Sequence, residues 1–205
     1  MSRDLRPPWF MWGGGLPPHP PKSSAARAAR GGCPIRETTV EVREARTAGE
    51  VEAAGRVTVA ANAEFAPTDP GDPFSTSWAG YLAEMADAAA RAADGVLLVA
   101  VEPDGRVVGT VTLYLGPGSL QWRPGDAMFR LLAVDPAARG RGIGRALFQA
   151  CLDRARAAGK RRMALHTTAW MPTARAMYER AGFRREPEGD LHLPGVDIIA
   201  YAAEL

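Results

Sequence analysis

The stretch Met128–Leu147 constrains this chain more than any other. It reads Met-Phe-Arg-Leu-Leu-Ala-Val-Asp-Pro-Ala-Ala-Arg-Gly-Arg-Gly-Ile-Gly-Arg-Ala-Leu. Met128 to Val134 is an apolar run of strand length, and Asp135-Pro136 ends it, because proline has no N–H to give a ladder. A tight turn rich in glycine and arginine follows, and a helical pattern begins at Ile143. The first turn of a helix has unpaired backbone N–H groups and the positive end of the helix dipole. Glycines there let an anion approach the backbone closely, so a pyrophosphate suits the place. Arg139, Arg141 and Arg145 add positive charge around it.

The surrounding pattern is mixed α/β without an internal repeat. Thr38–Arg43 alternates as a strand does. Helices are predicted over 47–63 and 76–92, the second with Trp78, Tyr81, Leu82 and Met85 at three- to four-residue spacing. Residues 96–101 and 107–115 form a predicted hairpin about Pro103-Asp104-Gly105. Beyond the glycine-rich turn come a helix over 143–158, a strand over 162–168, a helix over 172–181 and a last strand region ending in 196–202. Residues 1–34 are dense in Pro, Gly, Ala and Arg and have no apolar period. They read as a disordered extension ahead of a domain spanning 35–205.

Several phosphate-binding classes fail on spacing. A Walker loop needs Gly-Lys-[Ser/Thr], which is missing. For a dinucleotide fingerprint starting at Gly140 and Gly142, the third glycine would fall at Arg145, and no acidic residue stands about 20 positions on. The segment instead resembles the signature of the GNAT acetyltransferases, Arg/Gln-x-x-Gly-x-Gly/Ala, present as Arg139-x-x-Gly142-x-Gly144. A second match lies downstream: Ala174-x-x-Met177-Tyr178-Glu179-Arg180-x-Gly182-Phe183 is similar to the family's Ala-x-x-Leu-Tyr-Glu-Lys-x-Gly-Phe. The resemblance covers about residues 38–203 and implies an α+β fold: a central, mostly antiparallel sheet flanked by helices, with one parallel strand pair splayed apart.

The resemblance also implies a chemistry. Leu132, Ala133 and Val134 would offer backbone to the pantetheine arm of acetyl-CoA, and Arg139, Gly140, Arg141, Gly142, Ile143, Gly144 and Arg145 would hold its pyrophosphate. Tyr178 falls on the family's general acid, which protonates the departing sulfur; the plain alternative is a packed core tyrosine. Many relatives carry a glutamate base on the central strand, where this chain has Met128, and a thioether takes no proton. Asp126, two residues earlier, shares that strand face and is the candidate substitute, though it also fits a solvated strand end. His166 is either a titrating group at the acceptor pocket or a satisfied histidine in the sheet. Met171 stands where relatives place an asparagine that contacts the coenzyme arm. Arg175 and Arg180 either reach the CoA phosphates or, the preferred reading, are solvated helix residues, and Trp78, Tyr81, Met85, Trp122 and Trp170 read as core or acceptor-wall residues.

The activity implied is transfer of an acetyl group to a primary amine of a small molecule, by direct attack in a ternary complex. Met128 and Met171 keep open a non-catalytic acyl-CoA-binding protein, against which Tyr178 speaks. Asp69, Asp72 and Glu84 permit a protein amine as acceptor. Relatives occur as monomers and as dimers. Composition excludes other classes. The net charge is +2, but five basic residues against Asp4 give residues 1–34 +4, which leaves −2 for the rest. Nothing in that balance points to nucleic acid. No apolar run is long enough to span a bilayer. The two cysteines, Cys33 and Cys151, form neither a disulfide framework nor a metal-ligand pattern. A cytoplasmic protein without a metal is the expectation.

Overall fold

The computed structural model describes residues 40–69, 71, 73–116, 123, 125–193 and 195–205. The 1–34 extension, Cys33, Asp72 and Trp122 lie outside them. Eight strands form one sheet in the order β1 (Glu41–Glu44), β2 (Val96–Val101), β3 (Val107–Tyr114), β4 (Ala127–Val134), β5 (Arg162–Thr168), β8 (Val196–Glu204), β6 (Arg184–Arg185), with β7 (Leu191–Leu193) also paired to β8. All pairings are antiparallel except β4 with β5, which is parallel. This is the expected mixed α/β architecture.

Helices cover both faces of the sheet. On the first face, α4 (Ile143–Ala157) buries Ile143, Leu147, Phe148, Cys151, Leu152 and Ala155, a stripe at helical spacing, against Leu98, Val108, Leu113 and Phe129. Alongside it, α5 (Pro172–Arg180) contributes Tyr178 to the same core. On the second face, α1 (Ala48–Asn62) packs Ala54, Val57 and Ala61 against Leu97, Val99, Val101 and Ala133. Thr47 starts α1 by accepting a hydrogen bond from the Glu50 amide, and Glu50 reaches back to the Arg46 amide.

The sequence pattern predicts one helix over 76–92, and the structure has two: α2 (Pro73–Ala86) and α3 (Ala88–Asp94). The break has a local cause. The Asp87 side chain accepts a hydrogen bond from the Ala90 amide and so caps a new helix. Arg91, 5% exposed, then donates to the carbonyls of Glu84 and Met85 at the end of α2 and to the hydroxyls of Thr112 and Thr58. One buried guanidinium thus ties α1, α2 and β3 together and satisfies carbonyls that α2 leaves open.

Helices α1 and α2 approach most closely at Gly55, where an added Cβ would lie 2.3 Å from the Ala86 carbonyl oxygen. Backbone cannot give way as a side chain does. Gly55→Ala is therefore expected to destabilise the fold by about 1–3 kcal/mol. Thermal unfolding checks this: the midpoint should fall by about 2–4 °C for each kcal/mol lost.

Candidate active site

The site is built around a fork in the sheet. Strands β4 and β5 pair at only three rungs, Ala127 with Met163, Met128 with Ala164 and Phe129 with Leu165. Beyond them β4 runs on to Val134 and β5 to Thr168 without pairing to each other. The divergence starts at a bulge. Thr110 pairs with Ala133 and Thr112 with Arg130, so Val111 faces two residues of β4. Leu131 takes up the extra residue with φ 52°, a left-handed conformation that costs a non-glycine residue on the order of 1 kcal/mol or more. A bulge bends and twists its strand, which turns β4 away from β5. On the β5 side, residues 132–134 have no strand partner among the described residues. Such a backbone edge accepts an extended ligand as an added strand.

At the C-terminal end of β4, Pro136–Ala138 makes one 3-10 turn, and the Gly/Arg turn leads into α4. Gly142 is the N-cap of α4 at φ 78°, ψ 0°, a conformation open to glycine and strained for other residues. It offers no side-chain cap, so the first amides of α4 keep their hydrogen-bonding capacity. A Cβ at Gly140 or Gly142 would meet nothing within 4 Å. The turn is therefore open on the side to which a Cβ at either glycine would point. A Cβ at Gly144 would lie 3.6 Å from Val134 and 3.7 Å from Leu132, which places that position beside the unpaired stretch of β4.

The arginines of the turn differ in their surroundings. Arg139 donates to Glu64 and to the Ala61 carbonyl at the end of α1. Arg141 pairs with Glu102, which Arg106 also grips. These two tether the turn to its neighbours, and their charges are partly neutralised. For Arg145, exposed in the first turn of α4, no ion pair is recorded among the described residues.

Tyr178 reaches the fork from the first face. It is buried, and its ring lies 5.8 Å from that of Phe129, the last paired residue of β4, and 5.5 Å from that of Phe148. Its hydroxyl makes no hydrogen bond to another described residue, yet it is not one of the fully enclosed unpartnered atoms. Burial pushes the phenol well above its ordinary range, so it stays protonated near neutral pH. It is a core tyrosine whose phenol is protonated at neutral pH.

Asp126 is placed differently. It precedes β4, is buried, and is ion-paired with Arg162, which also holds Glu186. Burial pushes its carboxyl up, and Arg162 opposes that shift. It lies at the closed end of the strand pair, away from the fork, in surroundings that fit an anchor. The Met171 side chain receives only a weak contact from the Thr167 hydroxyl, 3.9 Å from its sulfur. Arg175 donates to the Tyr201 hydroxyl, so it is fastened to the sheet instead of solvated. Arg180 is exposed at the end of α5, as read from the sequence.

On the second face of the fork, Arg130 and Phe74, which the sequence reading left aside, join Glu84 and the aromatic residues it named. Arg130 and Glu84 form an ion pair of 2.5 Å, both side chains largely buried. Trp78 of α2 lies between Phe74 and Tyr81, at ring distances of 5.6 and 6.1 Å, and Phe74 meets Trp170 edge-on at 6.2 Å. These rings form a wall from α2 to the loop beyond β5, while Met85 is fully buried as core. The signal for Arg130 was present: a lone cation inside an apolar strand seldom goes unpaired. A separate open cleft of about 620 Å³ lies between α1 and the β2–β3 turn, lined by residues such as Glu50, Arg56, Arg106 and Asp135. It does not include Tyr178 or the Gly/Arg turn. Among the described residues there is no cluster of three metal-ligating side chains, and no helix is long and apolar enough to cross a membrane.

The fork, the glycine turn and the tyrosine all lie along β4. The family model of the acetyltransferase (GNAT) family matches residues 60–183. The chain belongs to that family. A mycothiol acetyltransferase of Beutenbergia cavernae is 49% identical over 53 residues, which cover 26% of this chain and 18% of the relative. That of Cellulomonas flavigena is 39% identical over 88 residues, 41% of this chain and 25% of the relative. The chain thus spans no more than a quarter of the length of these curated relatives. Among solved structures, a GCN5-related N-acetyltransferase from Kribbella flavida aligns over 81% of this chain and 98% of its own, with 25% identity and a TM-score of 0.57. A structure from Salmonella typhimurium solved with its cofactor acetyl-CoA aligns over 82% and 94%, with 20% identity and a TM-score of 0.56.

Proposed function

We propose that this chain moves the acetyl group of acetyl-CoA to a primary amine of a small molecule, by direct attack while both are bound. The observation that carries this reading is the fork: three paired rungs, then an unpaired β4 edge that leads straight to an open glycine turn at a helix N-terminus. In this reading Leu132, Ala133 and Val134 hold the pantetheine arm by backbone. Gly140, Gly142, Ile143, Gly144 and Arg145 receive the pyrophosphate through amides and charge, while Arg139 and Arg141 brace the turn. The thioester supplies an activated acyl group. Tyr178 gives its proton to the sulfur as the C–S bond breaks. Asp126, held by Arg162, serves to anchor β4 to β5.

A small acceptor fits the aromatic wall of Phe74, Trp78, Tyr81 and Trp170, which closes one side of the fork. The mycothiol acetyltransferases do not extend to this chain's acceptor. The rings of that wall run from Phe74 to Trp170, a longer stretch than either alignment. The test is to supply acetyl-CoA with a panel of primary amines and follow release of the coenzyme thiol. Cys151 interferes little, since burial pushes its thiol up to about 12. Thiol release that depends on one amine is expected. Acetyl-CoA binding with no release for any amine would favour an acyl-CoA-binding protein without turnover.

A further inference from the structure

On the acyl-transfer reading above, we propose that His166 is the general base of the reaction, accepting the amine proton through Nδ1. Phe129 and Leu165 are the last paired residues of β4 and β5, so Arg130 and His166 occupy the next rung, where the strands part. Side chains alternate across a sheet, and Met128 and Ala164 pack together on the second face. Arg130 and His166 therefore stand on that face too, on either side of the crotch of the fork. Tyr178 comes to the same place from the first face. An acid and a base thus flank the slot from opposite sides.

The hydrogen bond of His166 fixes its chemistry. Nε2 lies 2.9 Å from the Gly189 carbonyl oxygen. A carbonyl only accepts, so Nε2 carries the proton and a neutral ring leaves its lone pair on Nδ1. No hydrogen bond from Nδ1 to a described residue is recorded, and the side chain is half-buried, within reach of a ligand. The charges around it favour the neutral ring. Burial lowers its pKa first, and Arg130 on β4 lowers it further. The Gly189 bond and Asp190 act the other way. Glu84 of α2 holds Arg130 in place. Near pH 7 the ring is a neutral base, a role that Met128 cannot fill.

The step balances as follows. The amine nitrogen bonds to the acetyl carbon, the C–S bond breaks, and the nitrogen gives a proton to Nδ1 of His166. Tyr178 protonates the sulfur. His166 then releases its proton to solvent and Tyr178 takes one back, so the amide and the free thiol form with no net change in the enzyme.

His166→Gln tests this, because a glutamine amide can still donate to Gly189 but takes up no proton. With 2-phenylethylamine, spermidine, glucosamine and lysine as probe amines, kcat/KM at pH 7 should fall by on the order of 100-fold. The acetyl-CoA dissociation constant should stay unchanged. In the parent enzyme the rate falls as pH drops through the lowered pKa of His166, below about 6.5; the variant should lose that limb. Nitrogen NMR of the imidazole in the parent protein reads the ring without any acceptor, and a neutral ring protonated on Nε2 at pH 7 is the expected state. A variant that keeps the parental rate and acid limb overturns the proposal. So does a ring protonated on Nδ1, or doubly protonated, at pH 7. Failure of the parent to bind acetyl-CoA would instead overturn the acyl-transfer reading on which this rests.

Discussion

Gly144→Glu is expected to separate stability from binding, raising one and removing the other. Position 144 is in the first turn of α4 with ordinary helical backbone, and a Cβ there meets Val134 and Leu132 at normal contact distance. Replacing an interior helix glycine gains up to about 1 kcal/mol. A carboxylate in the first turn adds about 0.3–1 kcal/mol through the helix dipole. The thermal midpoint of the free protein should therefore hold or rise. The same carboxylate would stand in the turn proposed to hold the coenzyme diphosphate, beside the β4 edge proposed for the pantetheine arm. Like charges set together in an interface cost several kcal/mol. A loss of about 3 kcal/mol is on the order of 100-fold in the dissociation constant of acetyl-CoA. Calorimetry and thermal unfolding on one sample decide the matter. A better-folded variant that still binds acetyl-CoA at parental strength would remove the coenzyme from this turn.

Tyr178→Phe should have its large effect on turnover. The phenol makes no hydrogen bond to a described residue, so its removal leaves no buried partner unsatisfied, and the ring keeps its contacts with Phe129, Phe148 and Phe183. Stability and acetyl-CoA affinity should stay near the parental values. Loss of a positioned acid costs about 10²- to 10⁴-fold in rate. With any amine that the parent acetylates, kcat should fall by at least the lower of these. A variant that turns over at the parental rate would reduce Tyr178 to a packing residue.

The β4–turn–α4 segment was legible in the sequence because local rules govern it. Asp135-Pro136 had to end β4, the turn glycines had to take positive φ, and the 3.6-residue period of α4 had to turn Leu147 and Cys151 inward. The surroundings of α2, α3 and β5 depend on long-range pairing and were not legible. Nothing near Arg91 in the sequence shows that it reaches the end of α2 and Thr112 of β3. Nothing near Asp126 reveals Arg162, thirty-six residues away and one strand over. The split of the 76–92 helix was readable in principle. Asp87 is a strong N-cap in an alanine-rich run, and helical periodicity on both sides of it concealed the break. Arg130 and His166 became a pair only once the register of β4 and β5 was known.

The central claim is that backbone at 132–134 and 143–145 receives the coenzyme. Amide NMR of the labelled protein, titrated with acetyl-CoA, tests it most directly. The account predicts saturable shifts concentrated at Leu132, Ala133, Val134, Ile143, Gly144 and Arg145, with α1 and the β2–β3 turn little disturbed. Shifts that never saturate, or that gather instead around Arg56 and Arg106, would contradict it.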